Sequence, residues 1–326
     1  MKKKIIAMLL TMTLAATALV GCGAGGSSGG TTAKKGEPLT FVIVPKGVHA
    51  WFDEVNVGAQ EQAKKLSEQL GVEVKIDYRA PSSADVAEQN SVLEQAAATK
   101  PTGIALDPTD YEGNKAVIEE IEAQGIPVIL FDAPSPEGSN LTTVGNDFAE
   151  QARLAAEKLV KLIDKKGKVA VMQGVPSAPN HAERYKTYVN YLKQFPDIQI
   201  IDGGISNDNI EKAQTQAAAV IAANPDLKGY LMADAAAPIG ISSAIKEAGK
   251  KGQIKVVGLE NLIDILKLVK EGTIDSTTCT VPRVQGSMAV LMLWEKALGM
   301  KIPKVVDTGI DIVTQENVDQ WIKMME

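Results

Sequence analysis

Residues 103–134 read GIALDPTDYEGNKAVIEEIEAQGIPVILFDAP. Two short apolar runs, GIAL at 103–106 and IPVILF at 126–131, flank a helical pattern over 113–124. Each apolar run ends in acids and prolines, Asp107-Pro108-Thr109-Asp110 after the first and Asp132-Ala133-Pro134 after the second. Val/Ile-rich runs of this length, broken by Gly, Pro and Asp, are the pattern of parallel strands buried on both faces. One strand, one helix and a second strand make a βαβ unit.

The same rhythm extends in both directions. LTFVIV (39–44) precedes a helix at about 53–70, and VEVKIDY (72–78) precedes one at 84–98. After a long loop comes a helix at 148–164, and then KVAVM (168–172), IQIID (198–202), GYLMA (229–233) and IKVVGL (254–259) each feed another. The chain is therefore expected to be α/β. Its folded part, nearly 290 residues from Leu39, is too long for one comfortable core, so two lobes are expected. A single β/α barrel is the alternative. The connections after Phe131 and after Thr280 (VPRVQG) look like crossings between bodies and weigh against it, as does the lack of further βα units after KVVDTGIDIVT.

The N-terminus carries MKKK and then the apolar run IIAMLLTMTLAATALV, Ile5 to Val20. That run is short of the ~20 residues of a membrane span and reads as a secretory signal. It ends in Leu19-Val20-Gly21-Cys22, which resembles the lipobox of bacterial lipoproteins and implies acylation of Cys22 on removal of residues 1–21. Residues 22–38 then form a Gly/Ser-rich tether with a reach of roughly 20–25 Å. Cys279, the other cysteine, has no disulfide partner if Cys22 carries lipid, and a small buried thiol is expected.

The whole chain has 34 Lys+Arg against 40 Asp+Glu; without the three lysines of the signal the balance is −9. That excludes the basic footprint of nucleic-acid binding. No HExxH, CxxC or P-loop lysine pattern occurs, so no metal site, cofactor or catalytic group is expected. GISSA (240–244) resembles a nucleophile elbow but falls inside a helix, and His181, in PSAPNHAER, is expected to cap or to face solvent.

In open α/β sheets ligands bind outside the carboxyl ends of the strands. The residues there are Lys46, His49, Trp51 and Phe52; Asp107 and Asp110; Asp132; Gln173; Asp234; and Glu260 with Asn261. Each acid alone fits a helix cap or turn, as Asp147 does at the head of its helix. Together with aromatic rings and arginine they fit a neutral polyol, whose hydroxyls donate to carboxylates and accept from guanidinium.

Across its length from Leu39 the chain resembles the type I periplasmic-binding proteins of the ribose/xylose/galactose group, receptors of sugar ABC importers. The resemblance lies in the order and spacing of FVIVPKGVHAWFDEVNVGAQEQAKKL, the 103–134 stretch, VGNDFAEQA, AVMQGVPSAPNHAERYKTYVNYLKQFP, YLMADAAAPIGISSAIKEAG, KVVGLEN and GTIDSTTCTVPRVQGSMAVLML. It implies two Rossmann-like lobes with parallel sheets and a three-crossing hinge, residues 39–133 with 282–308 and residues 134–281 with 309–326. It implies no enzyme, and a monomer serving a membrane permease from a lipid anchor on the outer face of the cell membrane. Matched position by position, it implies ligand contacts from His49, Trp51, Phe52, Asp110, Asp132, Arg184, Asp234, Glu260 and Thr280, with Lys46, Asp107, Gln89 and Asn207 as further candidates. Trp51 and Phe52 would stack on a sugar. Asp234 and Glu260 stand where the family usually has Asn and Asp, and Asn207 where many relatives carry an aromatic. Lys46 resembles the subgroup of autoinducer-2 and rhamnose receptors, which leaves a quorum signal, a nucleoside or another small polar ligand as the alternative to a monosaccharide.

Overall fold

The computed structural model describes residues 36–325, so the signal, Cys22 and most of the tether lie outside the described residues. Strand β1 (Leu39–Val44) is buried along nearly its whole length, and its alternating side chains divide between two helical layers. Val42 and Val44 pack with residues of α2 (Val86–Ala98) and α3 (Tyr111–Ala123), while Phe41 and Ile43 pack with α1 (Ala50–Leu70) and α9 (Pro282–Ala297). A strand covered on both faces needs apolar residues at every position, which is why the run is continuous.

The first sheet continues with β2 (Val74–Tyr78), β3 (Gly103–Leu106), β4 (Val128–Phe131), β5 (Thr143–Gly145) and β11 (Val305–Asp307), in the order β11-β5-β4-β3-β1-β2, all parallel. The second contains β6 (Gly167–Gln173), β7 (Ile198–Ile205), β8 (Leu227–Met232), β9 (Lys255–Leu259), β10 (Ser276–Cys279) and β12 (Asp311–Thr314), in the order β12-β10-β9-β8-β6-β7. Only β12 runs antiparallel, against β10. Its strands are sandwiched in the same way. Val169 and Val171 face α4 (Phe148–Leu162) and α5 (Pro179–Leu192), and Ala170 and Met172 face α6 (Ile210–Ala223) and α7 (Ala237–Glu247). Helices α8 (Ile263–Lys270) and α10 (Val318–Met325) complete the second lobe. Two separate sheets rule out the single barrel.

The chain passes between the sheets three times, after β5, after β10 and between β11 and β12. The first crossing differs from the expected one after Ala133. Residues 134–145, expected in the second lobe, stay with the first because β5 adds to β4 there, with Leu130 paired to Thr143 and Phe131 to Val144. Cys279 is buried in β10 and is the free cysteine among the described residues. No helix of the described residues is long and apolar enough to cross a membrane.

Helices α1 and α9 meet through two glycines. A Cβ on Gly58 would sit 1.9 Å from the Arg283 carbonyl oxygen, and one on Gly286 would sit 1.9 Å from that of Val55. This reciprocal approach lets α9, arriving after the second crossing, lie flat on the first lobe. In an isolated helix Gly→Ala gains about 1 kcal/mol. Here the added methyl meets backbone that cannot rotate away, so Gly58→Ala and Gly286→Ala are each expected to destabilise by about 3 kcal/mol, the upper range of overpacking. Urea denaturation of the two variants checks the sign.

Candidate functional site

Both parallel sheets point their carboxyl ends at the gap between the lobes. From the first lobe, β1 delivers Lys46, β3 delivers Asp107 and β4 delivers Asp132. The Lys46 ammonium, 1% exposed, forms a short ion pair with Asp107 and lies 3.4 Å from Asp132. Burial works against its charge, but Asp107 and Asp132 outweigh that and hold its pKa above the usual value. Burial raises both carboxyls, against the pull of Lys46. Gln89 stitches the loops together. Its amide donates to the carbonyls of Pro45 (3.0 Å) and Asp107 (2.8 Å), and its Oε1 accepts from the Thr109 N–H at 2.9 Å.

From the second lobe, β9 delivers Glu260 in a left-handed conformation, φ 70°. Its Oε2 accepts from Thr280 N at 3.0 Å, Thr280 Oγ1 at 2.7 Å and Trp51 Nε1 at 3.1 Å. Its Oε1 accepts from Gln151 Nε2 at 3.1 Å and lies 3.6 Å from Arg184. Arg184 in turn donates to Gln151 Oε1 at 2.8 Å and to the Ala233 carbonyl at 3.3 Å, with its guanidinium 4.8 Å from the Phe148 ring centroid. Three contacts bridge the lobes directly: Trp51 to Glu260, Asn180 Nδ2 to Asp132 Oδ2 at 2.6 Å, and Ser177 Oγ to the Thr109 carbonyl at 3.1 Å. The lobes are closed on each other.

Between them lies a tight cavity of about 20 Å³, well below the ~300–1,000 Å³ usual for small-molecule sites. Lys46, His49, Trp51, Phe52 and Asp132 line it from the first lobe; Arg184 and Glu260, with His181, Asp208, Ala235 and Leu259, line it from the second. Seven residues singled out in the sequence thus share one cavity. Asp132 Oδ1 is buried with no protein partner, so it can accept from a guest. The pocket offers donors and acceptors to a polar ligand. Among the described residues no group of three or more His, Cys, Asp or Glu side chains is placed to hold a metal ion.

Other expected contacts stand elsewhere. Asp110 caps α3, its Oδ1 accepting from Gly113 N at 3.2 Å, and does not line the cavity. Helix α3 begins immediately after it, so its carboxylate serves the free amides of the first turn. Asp107, Gln89 and Thr280 sit behind the lining and position it. Asn207, at φ 51°, lines an adjoining recess with Ser82, Ser83 and Asn209, and that recess shares Lys46, His49, Phe52 and Asp208 with the cavity. Asp147 caps α4 as expected. Trp51 does not present a free indole edge, because its N–H is held by Glu260, and its ring meets Phe52 edge-on at 5.3 Å. His181, expected to cap or face solvent, is buried at 4% exposure. It lies one helical turn before Arg184, a spacing that puts both on the same face of α5 and was available as a signal. Asp208 follows Asn207 and was overlooked beside it. Ser242 of GISSA is buried inside α7.

Asp234, fully buried after β8, is a cap and not a lining group. Its Oδ1 accepts from the N–H groups of Ala236 (2.9 Å) and Ala237 (2.8 Å), and its Oδ2 contacts Ser206 Oγ closely. Ser206 Oγ also faces the Gln173 carbonyl at 3.1 Å. One hydroxyl proton cannot serve both acceptors, so a proton on Asp234 completes the network. Burial, reinforced by the charge of Asp208, accordingly pushes Asp234 up to about 7. An acid held above its unfolded value costs stability as pH rises from about 4 to about 7, because the unfolded chain releases its proton first. Asp234→Asn keeps the acceptor for the two amides and supplies a donor to Ser206. It is expected to raise Tm by at least ~2 °C at pH 8 and to leave it unchanged at pH 4, as read by scanning calorimetry.

Comparison with known proteins agrees with this geometry. Residues 40–301 match the family described as a periplasmic binding protein domain. The ribose import binding protein of Bacillus subtilis (strain 168) is 23% identical over 96% of this chain and all of its own length. A solute-binding protein of Burkholderia graminis C4D1M, solved in complex with D-arabinose, superposes with a TM-score of 0.80 at 25% identity, covering 87% of this chain and 98% of that one. One from Agrobacterium vitis, with bound D-fucose, is 28% identical at a TM-score of 0.79, covering 86% and 97%. Two α/β lobes closing on a polar cavity at their strand ends, together with these matches, show that the chain belongs to the periplasmic binding protein family, in the ribose group of its type I members, which are substrate-binding proteins of ABC importers and not enzymes.

Proposed function

We propose that the protein is an exported lipoprotein, anchored through Cys22 to the outer face of the cell membrane. It captures a monosaccharide, either a pentose, a hexose or a related polyol, and delivers it to the permease of an ABC importer. The observation that carries the ligand assignment is the convergence of Asp132, Arg184, Glu260 and Trp51, from separate lobes, on one cavity. The two cations there are paired within the protein, Lys46 with Asp107 and Asp132, and Arg184 with Glu260. A guest with its own net charge would disturb that pairing, whereas hydroxyls can both donate and accept. The sugars bound by the two neighbouring structures, D-arabinose and D-fucose, are of this class. The lipid anchor rests on the Leu19–Cys22 sequence alone.

A second reading, an autoinducer-2-like signal, a nucleoside or another small polar ligand, is favoured by Lys46 in the cavity wall and by Asn207 in place of a facing aromatic. Replacing Lys46 by Ala does not separate the two readings. It would leave Asp107 and Asp132 buried without their cation, at a cost of about 3–5 kcal/mol whatever the ligand. A ligand panel does separate them.

Titration calorimetry with pentoses, hexoses, cyclic signal polyols and nucleosides is expected to give saturable binding with one or more of the monosaccharides. A flat response to every sugar would overturn the assignment. Trp51→Phe removes the N–H that joins the lobes at Glu260 while keeping an aromatic wall. It is expected to weaken binding of the responding sugar roughly tenfold, the value of about one buried hydrogen bond to a charged group.

A further inference from the structure

Two histidines exist in the chain, and both line the cavity, one from each lobe. Each is held by the same device. His49 Nδ1 accepts the backbone N–H of Trp51 at 3.1 Å, as the N-cap of α1. His181 Nδ1 accepts the backbone N–H of Val175 at 2.9 Å. A ring nitrogen that accepts an amide proton cannot carry one, so each neutral imidazole must bear its proton on Nε2. Neither Nε2 is bonded to a protein acceptor among the described residues. His181 is fixed further by Gly174, where a Cβ would lie 2.4 Å from Nδ1 and 3.0 Å from Cε1. The Nδ1 edge is thus pressed to the backbone, and the opposite edge is left for the cavity.

Asp208 shares the wall with them. It follows Asn207, and both residues adopt left-handed backbone conformations, φ 57° and 51°, that turn the loop after β7 toward the cleft. Its Oδ1 is buried and has no protein partner. Burial alone would raise its pKa, but His49, His181 and Lys46 outweigh that and keep it below the ordinary value. His181 itself is held well below its usual value, first by burial and then by Lys46, which keeps the ring neutral.

We propose that His49, His181 and Asp208 form a hydroxyl-reading subsite, in which two Nε2–H donors of fixed tautomer and one carboxylate acceptor together take a single hydroxyl of the ligand. The hydroxyl accepts from the imidazoles and donates its proton to Asp208. This rests on the polyol reading above and adds which end of the guest is inspected and by what. The two donors come from different lobes, so the full set assembles only on closure, and a ligand lacking that hydroxyl leaves all three groups without that partner.

Two measurements test it. The first uses nitrogen-15 histidine correlation spectra of the free wild-type protein at pH 7, which are expected to show both rings as the Nε2–H tautomer. An Nδ1–H signal from either overturns the proposal without touching the sugar assignment. The second is calorimetry with the sugar that binds and its series of monodeoxy analogues, on wild type, His181→Asn and Asp208→Asn. Asn at 181 keeps an acceptor for Val175 N–H and removes the Nε2 donor. Each variant is expected to lose roughly tenfold or more with the parent sugar and nothing with one deoxy analogue, the same analogue for both. Equal losses across all analogues, or wild-type affinity in both variants, overturn the subsite. A wild-type protein that binds no sugar overturns the polyol reading, and the nitrogen spectra still judge the two donors.

Discussion

The carboxylate of Glu260 is the constraint on which the closed molecule depends. Its two oxygens do different things. One faces the hinge, taking both the backbone N–H and the hydroxyl of Thr280, and reaches the Trp51 indole of the other lobe. The other faces Gln151 and Arg184, so it also fixes the chain of bonds that orients the guanidinium. A buried charge at 3% exposure is tolerated only when it is fully paired and hydrogen-bonded. Opening the lobes strips Trp51 from this carboxylate, so the hinge, the cation over the ligand site and lobe closure are coupled through one group.

Electrostatics explains why the site is both crowded and selective. Two cations and several acids stand within one small enclosure, yet the cations have protein partners, Lys46 at Asp107 and Asp132 and Arg184 at Glu260. The unspent capacity is in acceptor oxygens, Oδ1 of Asp132 and of Asp208. Those groups are costly to bury unpaired. A guest that donates hydrogen bonds to them offsets that cost.

Most of the architecture was legible because strands buried on both faces leave uninterrupted apolar runs. VILF (128–131) and VAVM (169–172), bounded by turn residues, fit that role. The first crossing was misplaced because β5 is three residues, TVG, in a loop rich in Pro, Gly and Ser, and its pairing to β4 is set by the sheet rather than by its own sequence. In DPTD the two acids are equally good candidates by composition. The start of α3 decides between them, since Asp110 is consumed by the first turn and Asp107 is left for Lys46. His181 departs from the expectation because PSAPNHAER mixes exposed residues with His181 and Arg184, which face the polar cavity, and polarity alone does not distinguish the two.

Asp132 and Glu260 occupy the same place in two different sheets. Each is the first residue after its strand, each has a left-handed φ, 44° and 70°, and each sends its own N–H to the neighbouring strand, to Val144 at 3.0 Å and to Thr278 at 2.9 Å. For a side chain as large as Glu that backbone costs of order 1–2 kcal/mol, so it persists only where surrounding bonds fix it. The bonds in question are reciprocal. Asp132 of the first lobe takes Asn180 of the second, and Glu260 of the second takes Trp51 of the first. The strand end aims each acid across the gap, where the partner lobe's donor reaches it only when the lobes are together. Closure is thus favoured by a hydrogen bond at two corresponding points, and a guest that bonds Asp132 Oδ1 adds to one of them without competing for the oxygen already used.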